Sequence, residues 1–318
     1  MSTLGERERP IVPRAEPGSY YGRPVIKDPI WTWEIPTYFF TGGLAGASAG
    51  LAWLSELRGN RELARRSWML ALGGIVASPA LLISDLGRPA RFLNMLRVFK
   101  PTSPMSVGSW LLSAAGGAIG VATLNATTGA LSRPARVAKP AAALLGLPVS
   151  TYTAALVSNT AVPVWHEARR TLPFLFAGGA AAAAGAAAVL ATPPEHARPA
   201  RRLALAGAVG ELAAARAMEQ SLGEIGEPYH EGTSGTLSRT AQLLTAVGGM
   251  TLAGAAGRRR AAAAAGAGAV LAGALIERWA VYKAGFASAA DPKYTVGPQR
   301  ERIRSGETRG AERRATAA

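Results

Sequence analysis

The stretch at residues 172–191, LPFLFAGGAAAAAGAAAVLA, decides how the rest of the chain is read. It carries no charge and no polar side chain. A helix that crosses a hydrocarbon core of about 30 Å needs about 20 such residues. A soluble amphipathic helix carries polar residues every few positions. Neither this stretch nor the one that begins at Ala261 does so. Barrel strands are excluded because they alternate in polarity.

Working outward, seven further apolar stretches lie at 35–54, 68–83, 110–124, 141–164, 203–218, 241–256 and 261–287. The one at 203–218 is weaker because it holds Glu211 and Arg216. Short clusters of Arg, Lys, Glu and Asp separate them. The expected fold class is an all-α integral membrane protein with eight transmembrane helices. Residues 1–30 are polar and lack the apolar centre of a signal peptide, so they read as a retained tail. Residues 288–318 are basic and read as irregular.

Composition narrows the chemistry. The chain has 318 residues, 49% hydrophobic and 17% charged, with a net charge of +15. Mean hydropathy is only +0.14, because the charges are gathered in the tails and loops. With no cysteine, the chain cannot itself ligate an iron–sulfur cluster by thiolates, attach haem through thioethers or form disulfides. Its three histidines, His166, His196 and His230, fall in expected loops. They do not form a pair of axial haem ligands or a metal site. Nucleic-acid binding is disfavoured, since the basic residues punctuate loops and the aromatics cluster at span ends. Trp31, Trp33, Trp53, Trp68, Trp165 and Trp279 read as interfacial anchors. Gly42, Gly46 and Gly50 share one helix face, as do Gly116 and Gly120, and read as packing surfaces.

The loops opposite the termini hold 13 Lys/Arg, against 7 in the loops on the terminal side. The positive-inside rule then puts both termini outside the cytoplasm, although the basic C-terminal tail argues the other way. The expected location is the inner (cytoplasmic) membrane.

Ionisable groups at membrane depth are costly, so each one marks a candidate site. Glu34 opens the first span and Asp85 ends the second. Asp85 precedes Gly87-Arg88-Pro89, so a helix end with an Arg partner is as good a reading as a site. Glu211 and Arg216 read either as a mutual ion pair or as part of an ion path. Tyr152 lies inside the fourth span, and a buried phenol needs a hydrogen-bond partner. A bound carbonyl would serve.

Several segments together resemble one family. They are WTWEIPTYFFTGGLAG (31–46), DLGRPARF (85–92), KPTSPMSVGSW (100–110), Tyr152-Thr-Ala and SNTAVPVW (158–165). The resemblance is to the NrfD/PsrC-type membrane subunits of molybdopterin oxidoreductase complexes, which include the polysulfide reductase anchor. It implies eight helices in two four-helix bundles, at 31–165 and 166–287. It also implies that this chain carries no haem, iron–sulfur cluster or metal. The first bundle would bind a quinone, menaquinone or ubiquinone, as substrate. The implied partners are a ferredoxin-like iron–sulfur subunit and a molybdopterin catalytic subunit, so the chain would not be a complete enzyme.

By the same resemblance Tyr152 matches the tyrosine that hydrogen-bonds a quinone carbonyl. Tyr38 stands where polysulfide reductase anchors carry a histidine, and Ile35 where they carry an asparagine. Tyr38 or Glu34 would then supply the second contact, and Glu34 and Asp85 would transfer protons. Partner docking would fall to Arg88, Pro89, Arg91, Pro101, Thr102, Ser103, Pro104 and Trp110. The rival reading is a proton-translocating or transporter subunit without quinone chemistry, with Glu211 and Arg216 on the ion path.

Overall fold

The structure is a computed structural model that describes residues 24–86, 88, 90–254 and 259–304. Among these residues every regular element is helical. The α-helices are α1 (Glu34–Leu57), α2 (Arg61–Asp85), α3 (Arg91–Met95), α4 (Pro104–Thr128), α5 (Ser132–Ser158), α6 (Pro163–Glu167), α7 (Leu172–Ala191), α8 (Arg198–Leu222), α9 (Gly232–Ala253), α10 (Arg260–Ala290) and α11 (Lys293–Arg304). Short 3₁₀ turns occupy Ala168–Arg170 and Gly223–Tyr229.

Five helices, α2, α4, α5, α7 and α10, are long and apolar enough to cross a membrane. Helices α1, α8 and α9 have similar lengths of 24, 25 and 22 residues.

Local signals set the helix ends. Ser103 caps α4 by accepting from Ser106 N, and Pro104 occupies the first turn, where its missing N–H costs nothing. Gly129 closes α4 at φ 77°. Asn60 accepts from Leu63 N to cap α2 and also donates to the His196 carbonyl, which ties two loops together. The fourth apolar stretch stops at Ser158 and not at 164. Pro163 occupies the first turn of a separate short helix, α6, where its missing N–H costs nothing.

Packing follows two closed circuits of neighbours. Helices α1, α2, α4 and α5 form one, with contacts α1–α2, α2–α4, α4–α5 and α5–α1; α7, α8, α9 and α10 form the other in the same manner. Helix α1 leans on α7 and α10 and so joins them. One apolar core runs through both, from Ile35 to Ala289.

The contact between α1 and α5 is made by backbone. A Cβ placed on Gly46 would stand 2.3 Å from the Gly146 carbonyl oxygen and 2.6 Å from Ser150 Oγ. Gly50, on the same expected stripe, has open space around it, as does Gly120. The stripe is therefore a packing surface only where a partner helix crosses it.

Two of the expected interfacial tryptophans are core residues. Trp68 and Trp165 are fully buried. Each buried indole N–H is satisfied, by Glu56 Oε1 at 3.0 Å and by the Val281 carbonyl at 2.8 Å.

The segment read as an irregular basic tail is helical from Lys293 to Arg304. Lys293 Nζ lies 2.6 Å from Glu227 Oε2, and the Tyr294 hydroxyl donates to the same oxygen at 2.9 Å. These bonds hold the Glu227 carboxyl below the usual carboxylate range and the Lys293 ammonium above its own.

Two tests follow from this packing. Gly46→Leu forces α1 and α5 apart and should destabilise the solubilised protein by roughly 1–3 kcal/mol or more, as overpacking does, while Gly50→Ala leaves its melting temperature unchanged or raised. For the tail, the Glu227 contribution is present above the ordinary carboxylate pKa and is lost as pH falls through its depressed value; the Lys293 contribution is lost only as pH rises through its elevated value. Amide-exchange protection across 293–304, relative to the intrinsic rate at each pH, should therefore be high at neutral pH, lower in acid, and low at neutral pH in Glu227→Gln.

Candidate functional site

At the end of the molecule that carries Glu34 and Asp85, the first circuit of helices encloses a small cavity of about 70 Å³. Helix α1 contributes Ile35, Tyr38 and Phe39; α2 contributes Leu82 and Asp85; α4 contributes Met105, Ser109 and Leu112; α5 contributes Tyr152 and Leu156. Trp31, Leu86, Phe92 and Met95 complete the rim. The lining is apolar except for two phenols, one carboxyl and one hydroxyl.

Each phenol is held in place. The Tyr152 ring fits against α4 because position 108 is glycine; a Cβ there would stand 2.3 Å from Tyr152 Cε2. Tyr38 is fully buried and meets Tyr152 edge to face, with ring centroids 6.4 Å apart. The Tyr38 hydroxyl has no hydrogen-bond partner among the described residues. A buried orphan hydroxyl is costly unless something else satisfies it.

At the rim, Thr32 Oγ1 lies 2.7 Å from Asp85 Oδ1 and also hydrogen-bonds Glu34. Trp31 stacks on Trp165 at 5.4 Å, and its carbonyl accepts from the Tyr282 hydroxyl. The rim is thus pinned from α10.

The structure brings Tyr152, Tyr38 and Asp85 into one cavity and links Glu34 to it through Thr32. The expected docking residues separate into kinds. Arg88, Arg91, Pro101 and Thr102 are exposed beside the rim. Ser103 and Pro104 start α4. Trp110 lies on the outer face of α4, edge to face with Phe99 at 6.3 Å. Pro89 lies outside the described residues.

Sequence reasoning missed Gly108, Met95, Met105 and Phe39. Glycine and apolar side chains carry no polar signal that sets them apart from ordinary packing residues.

The expected Glu211–Arg216 pair does not form. The Arg216 side chain is 71% exposed and faces Glu219 at 3.9 Å, whereas Glu211 is buried against Gly179 and Arg278. A position five residues along a helix lies about 140° around its axis, so the two face different surroundings.

A larger lateral groove of about 710 Å³ lies between α1, α5, α7 and α8 near Arg58 and Arg202. Among the described residues, no side chain that lines it has an orphaned buried polar atom.

The family model for polysulphide reductase, NrfD, matches residues 26–218. The chain belongs to this family. The match takes in α1 to α7 and most of α8, and so includes every residue that lines the cavity. A search of curated proteins finds no match. Family membership and the five long apolar helices make this NrfD-family chain a multi-pass membrane protein.

The Gly108–Tyr152 contact is open to test. Gly108→Ala pushes the Tyr152 ring and should cost roughly 1–3 kcal/mol. Combined with Tyr152→Ala, the glycine change should cost far less than it does alone, a coupling that a thermal-denaturation double-mutant cycle would measure.

Proposed function

We propose that this chain is the membrane subunit of a molybdopterin oxidoreductase complex, with quinone bound at the Tyr38–Tyr152 cavity. Electrons would pass between that quinone and an iron–sulfur partner subunit seated on the 85–104 loop. We further propose that all eight long helices cross the membrane, as two four-helix groups.

The observation that carries this reading is an apolar cavity lined by two phenols, Tyr38 and Tyr152, of which Tyr38 has an orphaned hydroxyl. A quinone is apolar with a carbonyl at each end. It needs a greasy slot and a few fixed donors, and Tyr38 and Tyr152 supply donors on facing helices. The ring needs more room than the cavity's roughly two water volumes. The added room would come from the flexible Met95 and Met105 side chains and from α3, which has no buried residue.

Quinone reduction takes two electrons and two protons. The Asp85–Thr32–Glu34 cluster supports the second requirement: it places two carboxyls and a hydroxyl at the rim, where they meet solvent. Exposed Arg88, Arg91, Arg97 and Lys100 beside the same rim suit an acidic partner surface.

The two tyrosines separate this reading from a purely structural one. Tyr152→Phe should assemble normally and raise the apparent quinone Kd about ten-fold, the worth of one hydrogen bond. Tyr38→Phe should do the same while leaving thermal stability unchanged or higher, since it removes an unsatisfied group. Normal quinone binding in both variants would remove the cavity from consideration.

A further inference from the structure

The second circuit of helices encloses a polar cluster that the quinone reading does not use. Glu211 on α8 and Glu277 and Arg278 on α10 are only 3%, 2% and 2% exposed. All four helices converge there. Helix α7 contributes the Phe176 carbonyl, which accepts from Arg278 Nη2 at 2.9 Å, and Gly179, where a Cβ would stand 2.3 Å from Glu211 Oε1 and 2.7 Å from Arg278 Nη2. Helix α9 presents Thr245 towards Glu211. The Arg278 guanidinium also lies 4.1 Å over the Phe176 ring.

The cluster is under-satisfied. Both Glu211 oxygens, Glu277 Oε1, and Arg278 Nε and Nη1 have no hydrogen-bond partner among the described residues. Neither glutamate forms a direct ion pair with Arg278 among those residues. With all three groups ionised the cluster would carry a net charge of −1 in an apolar interior, which is costly. One proton makes it neutral. Among the described residues no group of three His, Asp or Glu side chains is placed to hold a metal ion.

A polar route leads to the cluster. Glu219 lies two turns further along α8, with its side chain 13% exposed, and accepts from Gln242 at 2.8 Å. Tyr229 is fully buried with an unpartnered hydroxyl, and the charges of both Glu277 and Glu219 act on it. Glu219, Tyr229, Glu277, Arg278 and Glu211 therefore make a file of ionisable groups. It starts from the Gly223–Tyr229 turn, at the same end of the molecule as the cavity rim.

We propose that Glu211, Glu277 and Arg278 form a buried proton-storage site, in which the two carboxyls share one proton exchanged with solvent past Tyr229 and Glu219. The step is a plain protonation: a proton from water adds to one carboxylate oxygen, and no electron moves. The site is independent of the quinone reading and can stand if that reading fails.

Infrared spectroscopy of the full-length chain, purified in detergent at neutral pH with any subunits that accompany it, counts the proton. The wild type should show one protonated-carboxyl band that shifts in heavy water. Glu211→Gln and Glu277→Gln should each abolish the same band, because either variant leaves one carboxylate balanced by Arg278. Arg278→Gln should double it. If that variant does not fold, the two isosteric glutamine variants still decide the matter. A band lost in only one glutamine variant would mean a fixed structural acid and would overturn sharing. A wild-type spectrum with no such band, or one where it emerges only when sodium is replaced by choline, would overturn the proposal in favour of an ionised or cation-filled site.

Discussion

Helices in lipid gain no hydrophobic free energy from touching one another, so close backbone approach has to supply the cohesion through dispersion. The contact of α1 with α5 through Gly46 and Gly146 is the clearest case here. It sets helix α1 at the centre of the molecule, with α2, α5, α7 and α10 around it. The placement of Tyr38 and Phe39 in the cavity wall depends on it. Larger residues at that crossing would move both rings away from α5 and from Tyr152.

The cavity and the Glu211–Glu277–Arg278 cluster are connected through α1 and α7. Phe39 lines the cavity and meets Phe176 at 5.7 Å between centroids. Phe176 in turn underlies the Arg278 guanidinium and supplies its carbonyl acceptor. A continuous aromatic contact thus runs from the cavity wall to the charged cluster. At the opposite end of the helices, Lys139 and Trp68 both engage Glu56, which fastens α1, α2 and α5 together. That end is fastened by ionic contacts, whereas the other carries the cavity rim.

Sequence reading singled out Tyr152 and Asp85 because each breaks an apolar pattern, and it passed over Ser109. Tyr152 is a phenol within a helix of Ala, Leu and Val, and Asp85 a charge at a span end. Glu34, Tyr38 and the 85–110 segment stood out by resemblance as well. The apolar members were hidden because Leu, Met and Phe are equally at home in any core. Glu277 and Arg278 were legible in principle, as adjacent charges inside an apolar stretch, but adjacency reads as a loop boundary. Glu211 was noticed and given the wrong partner, since the chain position of Arg216 says nothing of which helix Glu211 faces. Trp68 and Trp165 were misread because an indole at a span end has the same local sequence whether it meets lipid headgroups or the core.

Residue order alone was enough to establish a bundle of long apolar helices without thiolate-held metals, because hydropathy over some 20 residues and the absence of cysteine are local properties. It did not mark where α4 begins and ends: the apolar stretch at 110–124 understates a helix whose ends Ser103, Pro104 and Gly129 set. Helix adjacency, the meeting of Tyr38 with Tyr152, and the convergence of Glu211 on Arg278 were decided only in three dimensions. Those contacts join residues between about 65 and 115 positions apart, and which faces meet depends on helix rotation and crossing, which backbone-to-backbone packing sets across the whole molecule.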